Sequence, residues 1–157
     1  MSFLDIDERL LDLAERADLV YGCLVDAKEF PEGVDVTLVE GAVSSTEDVR
    51  RIREVRQRSR IVVSLGDCAV TSNVPGMRNA FGPEAVLNRA YLENATLNQQ
   101  IPTEVPALLE ESLPVHAHVK VDVFVPGCPP SADRIFEVIM DLLEGRVPEP
   151  GPQPRFG

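Results

Sequence analysis

The sequence predicts an α/β fold in which a parallel sheet is covered by helices on both faces. Three features of its 157 residues point there. Short β-branched runs bounded by turn residues alternate with segments that carry apolar residues at helical spacing, as in parallel sheets joined by crossover helices. Two of those runs, residues 61–66 and 121–127, end in glycine, and each is followed closely by a cysteine. A composition 44% hydrophobic and 26% charged suits one domain with a sizeable core. That domain is assigned to residues 1–147, with a Pro-rich tail over 148–157.

Taken in chain order, Phe3, Ile6, Leu10 and Leu13 predict a helix over residues 3–17, with Ser2 and Asp5 as its capping pair. Residues 19–25 and 34–39 are β-branched-rich and flanked by Asp26, Pro31, Glu32 and Gly33, which predicts two strands. Ser44, Ser45 and Thr46 offer capping oxygens before a helix over 46–58, whose apolar face is Val49, Ile52 and Val55. Residues 61–66 and 121–127 are the next strands. Between them, residues 94–118 hold Pro102, Pro106 and Pro114 and only a short helical possibility over 107–111. So long an irregular stretch is usually functional or covered by a partner. Ile135, Val138, Ile139, Leu142 and Leu143 form a last helical stripe that stops at Gly145.

Charge narrows the function classes. A formal net charge of −11 repels nucleic-acid phosphates and anionic membrane surfaces. No apolar run is long enough to span a bilayer, and Asp5, Asp7 and Glu8 stand where a secretory leader needs positive charge. The chain reads as cytoplasmic. Three cysteines, Cys23, Cys68 and Cys128, are too few and too scattered for a disulfide framework, so each is a core residue or a ligand.

Cys68 lies in Gly66-Asp67-Cys68-Ala69-Val70 and Cys128 in Pro126-Gly127-Cys128-Pro129-Pro130. Burial in the core is the ordinary fate of a free cysteine. A glycine turn at the end of a strand instead favours a ligand, because backbone there can approach a metal centre closely and offer N–H donors to sulfur. Cys23 sits inside the predicted 19–25 strand, where a thiol packs as a small hydrophobe. The arginines between 50 and 60 alternate with Glu47, Asp48 and Glu54, as on a solvated helix face. His116 and His118 alternate as on one strand face, without a neighbouring acid or thiol to complete a metal site. Arg78 and Asn79 follow the first cysteine turn on what reads as a loop, free to reach cluster sulfides, a flavin phosphate or a partner.

Taken together, Val39-Glu40-Gly41-Ala42-Val43, the two cysteine turns and Pro75-Gly76-Met77-Arg78-Asn79 resemble the small subunit of NAD-reducing, bidirectional nickel-iron hydrogenases. The Pro-Gly-Cys-Pro-Pro element alone is shared with the cluster-bearing subunit of respiratory NADH dehydrogenase. The resemblance implies a flavodoxin-like fold and a 4Fe-4S cluster with Cys68 and Cys128 as ligands, the turns at Glu40, Gly66 and Gly127 lying near it. It also implies a nickel-iron large subunit and diaphorase subunits carrying flavin and iron-sulfur clusters as partners. Electrons from hydrogen would pass through the cluster toward NAD reduction, with no catalytic residue on this chain.

The sequence departs from that family in one respect. It contains no Cys-x-x-Cys, and Met1-Ser2-Phe3-Leu4-Asp5 resembles the residues that follow that motif. The expectation is therefore that the first strand and two further ligands lie upstream of Met1. Two other readings stay open. A flavin-binding module would hold FMN through a hydroxyl-rich phosphate cradle after the first strand. A cluster-free structural subunit would use the long irregular segment only to seat a partner.

Overall fold

A computed structural model describes residues 4–148, so Ser2 and the tail beyond 148 lie outside the described residues. Two ladders organise the chain. Strands β1 (Val34–Glu40), β3 (Ser59–Leu65) and β5 (Val123–Val125) form a parallel sheet in the order β1-β3-β5, while β2 (Val43–Ser45) pairs antiparallel with β4 (Leu108–Leu113). The predicted parallel sheet is present.

Alternation along the strands gives the sheet two apolar faces. Val36, Leu38, Ile61, Val63, Leu65, Val123 and Val125 pack on one side against Val138 and Leu142 of the last helix, Ala132–Leu143. On the other side, Ile52, Val49 and Val55 of the helix Thr46–Arg58 pack with Val39, Val43, Ala69 and Val115. Full burial of a valine contributes roughly 1.5–3 kcal/mol, and Val62, Val63, Val115 and Val125 are completely inaccessible. Strands buried on both faces read as the near-continuous β-branched runs seen in the sequence.

The helix Thr46–Arg58 starts where its capping residues place it. Ser45 Oγ accepts the Asp48 N–H at 3.2 Å, and Asp48 Oδ2 accepts the N–H groups of Ser45 and Ser44 at 2.9 and 3.0 Å. This reciprocal cap contributes about 1 kcal/mol. The outward face carries the expected ion pairs, Glu47 with Arg50 and Arg51. Arg50 first, then Arg51, draws the Glu47 carboxyl down to about 2. Arg56 instead turns inward, donating to the carbonyls of Ser59, Arg60 and Lys120 and pairing with Asp122 at 2.5 Å. Asp122 N–H donates to Val62 O, and Val62 N–H donates back to Asp122 Oδ2, both at 2.9 Å.

Five expectations are corrected. Residues 19–25 form no strand, and Cys23, placed in the core by its sequence context, is exposed. A strand needs a ladder to satisfy its backbone, and β1 pairs only with β3 among the described residues. Leu19, Val20 and Leu24 are accordingly exposed. The first helix is shorter than expected: a 3-10 turn, Leu4–Ile6, precedes an α-helix limited to Arg9–Ala14. The supposed helical stretch over 107–111 is instead the strand β4, because β2 offers it an edge. His116 and His118 lie on and just after a 3-10 turn, Val115–Ala117, not on a strand.

Candidate functional site

The site grows out of the carboxyl ends of the parallel strands. Leu65 of β3 stands in register with Glu40 of β1 and with Val125 of β5. Beyond that row all three chains pass through a glycine with positive φ, namely Gly41, Gly66 and Gly127. The β3 and β5 chains stay joined past the last ladder pair. Gly66 N–H donates to Val125 O at 2.7 Å, and Asp67 N–H donates to Gly127 O at 2.8 Å. Gly127 N–H donates back to Asp67 Oδ1 at 2.7 Å.

This clasp carries a thiol on each arm. Cys68 follows Asp67 in the short helix Asp67–Thr71, and Cys128 follows Gly127 directly. Only glycine fits at 127: a Cβ there would stand 2.6 Å from Pro130 Cα and 2.7 Å from Pro130 N, and φ is +141°. At Gly66 there is room for a Cβ, and the φ of +83° makes the demand instead. Cys68 is half-buried and Cys128 exposed, so neither is a core thiol. Asn73 Nδ2 donates to Cys128 Sγ at 3.6 Å, the kind of N–H donor that stabilises electron-rich sulfur.

Sequence reasoning picked out Cys68, Cys128, Gly66 and Gly127, and the structure brings all four to one corner. Glu40 lies on the neighbouring strand end, exposed and in register with Leu65. Asp67 and Asn73 were missed as participants. For Asp67 the sequence did hold a signal, an acid wedged between a strand-end glycine and a cysteine, but its acceptor role toward Gly127, sixty residues away, required the fold.

The donor chemistry fits part of an iron-sulfur centre. Two thiols on glycine turns, one of them receiving the Asn73 N–H, match what such a centre asks of protein. Among the described residues no group of three or more His, Cys, Asp or Glu side chains comes together to hold a metal ion, so this pair could supply two of the about four ligands such a centre takes. Arg78 and Asn79 are committed elsewhere. Arg78 donates to Leu109 O and Ser44 O at 2.8 and 3.2 Å, while the Asn79 amide exchanges bonds with Ser112 O and N–H at 3.0 and 2.8 Å. They tie β2 and β4 to the segment that follows the cysteine turn. His118 is held below the usual histidine range, first by burial and then by Arg53, and His116 meets the Phe124 ring edge-on.

Comparison with known proteins gives a consistent picture. Residues 1–142 match the family described as NADH ubiquinone oxidoreductase, 20 Kd subunit. The chain is 41% identical over 152 residues to the delta subunit of the NAD-reducing hydrogenase HoxS of Cupriavidus necator, covering 93% of this chain and 73% of that one. It is 39% identical to one of the subunits of the F420-non-reducing hydrogenase of Methanocaldococcus jannaschii, where it spans 95% of its own length and only 53% of the relative's. In structure it superposes on a chain of an NAD+-reducing nickel-iron hydrogenase in the H2-reduced state with a TM-score of 0.92 and 40% identity, covering 100% of this chain and 90% of the other.

Proposed function

The chain belongs to the NADH ubiquinone oxidoreductase 20 Kd subunit family, and from that premise and its clasped thiol pair we propose that it is the electron-transfer small subunit of an NAD-reducing nickel-iron hydrogenase. In this reading Cys68 and Cys128 each bind one iron of a 4Fe-4S cluster, whose chemistry is to accept and pass on single electrons. Hydrogen is split in a separate nickel-iron large subunit, and a diaphorase with flavin and iron-sulfur clusters receives the electrons and reduces NAD in the cytoplasm.

The observation that carries the proposal is the placement of both thiols, each next to a residue of the Asp67–Gly127 clasp, at the carboxyl edge of a parallel sheet. Ligands of open α/β sheets bind at that edge. A partner surface adjoins it. Val74, Met77 and Phe81, spaced along the helical turns that follow Cys68, are 60%, 70% and 71% exposed, an apolar stripe suited to burial against another subunit. No helix of the described residues is long and apolar enough to cross a membrane. A flavin on this chain gains no support from the described residues: the hydroxyl cradle it calls for belongs after the family's first strand, and no strand precedes β1 among the described residues.

In the assembled complex, Cys128→Ser abolishes hydrogen-dependent NAD reduction, lowers the iron content of this subunit and spares NADH oxidation by the diaphorase with an artificial acceptor. Hydrogen-driven turnover that survives replacement of both Cys68 and Cys128 would show the chain to be a cluster-free structural subunit.

A further inference from the structure

Asp67 and Asp122 hold equivalent places at opposite ends of the β3–β5 ladder. Each gives its backbone N–H to a carbonyl on the facing chain and receives that chain's N–H on its carboxylate, Asp122 with Val62 and Asp67 with Gly127. Their charges are treated differently. Asp122 pairs with Arg56 at 2.5 Å and Lys120 at 3.5 Å. Asp67 is 7% exposed and forms no ion pair among the described residues. The residues directly beyond this clasp are the two cysteines. Gly127 is the joint through which Cys128 is hung, and a glycine at φ +141° has little conformational preference of its own to hold it there.

We propose that Asp67 is a positioning residue for the thiol pair: its carboxylate, anchored on the Gly127 N–H, sets where Cys128 stands relative to Cys68, so that the two sulfurs act as one two-point ligand for a thiophilic metal centre. This rests on the reading of Cys68 and Cys128 as ligands given above. The acceptor's reach is what matters. Asparagine keeps an oxygen at the same distance and loses the charge; glutamate keeps the charge and moves the acceptor by a methylene.

The test uses the full chain in a Cys23→Ser background, stripped of metal and kept reduced, with cadmium ion alone as the probe and its thiolate charge-transfer absorption as the readout. Thermal melting is recorded for every variant. Cys68→Ser and Cys128→Ser define one-thiol binding. Asp67→Asn is expected to bind cadmium within about twofold of the parent, and Asp67→Glu about tenfold more weakly, the range found when outer residues that orient metal ligands are changed. If Asp67→Glu melts lower but binds cadmium like the parent, the role is structural only and the proposal is overturned. A fall in Asp67→Asn as large as in Asp67→Glu overturns it as well, since charge rather than position would then govern. Should the two cysteine variants themselves bind like the parent, the ligand-pair reading fails first; if they weaken binding and Asp67→Glu does not, the pair stands and the clasp alone is refuted.

Discussion

The two ends of the β3–β5 ladder are built from the same two-bond aspartate clasp and put it to different uses. At the amino end, the Asp122 carboxylate is closed over by Arg56, whose guanidinium also reaches the carbonyls of Ser59, Arg60 and Lys120. That end is neutralised and knitted into the helix Thr46–Arg58. At the carboxyl end the Asp67 clasp is followed at once by glycine-borne thiols, and the apolar stripe of Val74, Met77 and Phe81 lies alongside. The same pair of hydrogen bonds is therefore no guide to role. On the proposed reading, what separates the structural strand end from the functional one is whether its charge and its neighbours are already partnered.

The largest effect that would break this contrast belongs to the thiol end. Gly127→Ala must push a Cβ into the Pro130 backbone at 2.6 Å, and overpacking against backbone at a positive φ destabilises by about 3 kcal/mol. A urea-denaturation midpoint within error of the parent would show that the turn is not as constrained as it stands here.

At the other end, Asp122→Ala strands the Val62 N–H and leaves Arg56 without its carboxylate. With the side chain about a quarter exposed, the expected loss is about 2 kcal/mol, with cadmium affinity of the thiol pair unchanged. A drop in both would mean that the two ends do not act independently. The same group has a pH signature. Burial raises the Asp122 pKa, but the Val62 N–H and Arg56 outweigh it and hold the carboxyl below its ordinary value. A depressed folded-state pKa adds stability that is fully present above the unfolded value of about 3.9 and fades as pH falls through the folded one. The stability gap between parent and Asp122→Asn should therefore be flat from neutral pH to about 5 and close below about 4, read from denaturation midpoints along the series.

The smallest effect is expected at the third cysteine. Cys23 is exposed in a segment without a ladder, so Cys23→Ser should change stability by less than about 0.5 kcal/mol and leave the iron content of the complex as it was. Loss of iron in that variant would move Cys23 into the ligand set and undo its separation from Cys68 and Cys128.

How much could be read in advance follows the range of the forces involved. The capping oxygens at Ser44, Ser45 and Thr46, the stripe of Ile135, Val138 and Leu142, and the β-branched runs at 34–39 and 61–66 are local patterns, and each led to an element of the expected type within two residues of the expected place. The strand-end glycines next to Cys68 and Cys128 were legible for the same reason: a turn with positive φ announces itself in one residue. Residues 19–25 carry as good a strand composition as 121–127 and form none, because propensity on the pleated surface is realised only when a neighbour accepts the backbone hydrogen bonds. Leu108–Leu113 is the converse case. A stretch with ambiguous composition became a strand because Val43–Ser45, some sixty residues earlier, supplied an edge and Asn79 held Ser112 in place.

By itself, then, the sequence determined the α/β class, the start of the helix at Thr46, the buried strand runs and the identity of the two thiols with their glycine turns, all set by neighbours within a few residues. Only the tertiary structure decided which runs became strands, that Cys23 stands outside the core, that Arg78 and Asn79 are committed to β2 and β4, and that Asp67 reaches across to Gly127 to join the cysteine turns. Those outcomes depend on hydrogen-bond acceptors and apolar surfaces brought from distant parts of the chain, and a pattern of adjacent residues does not contain them.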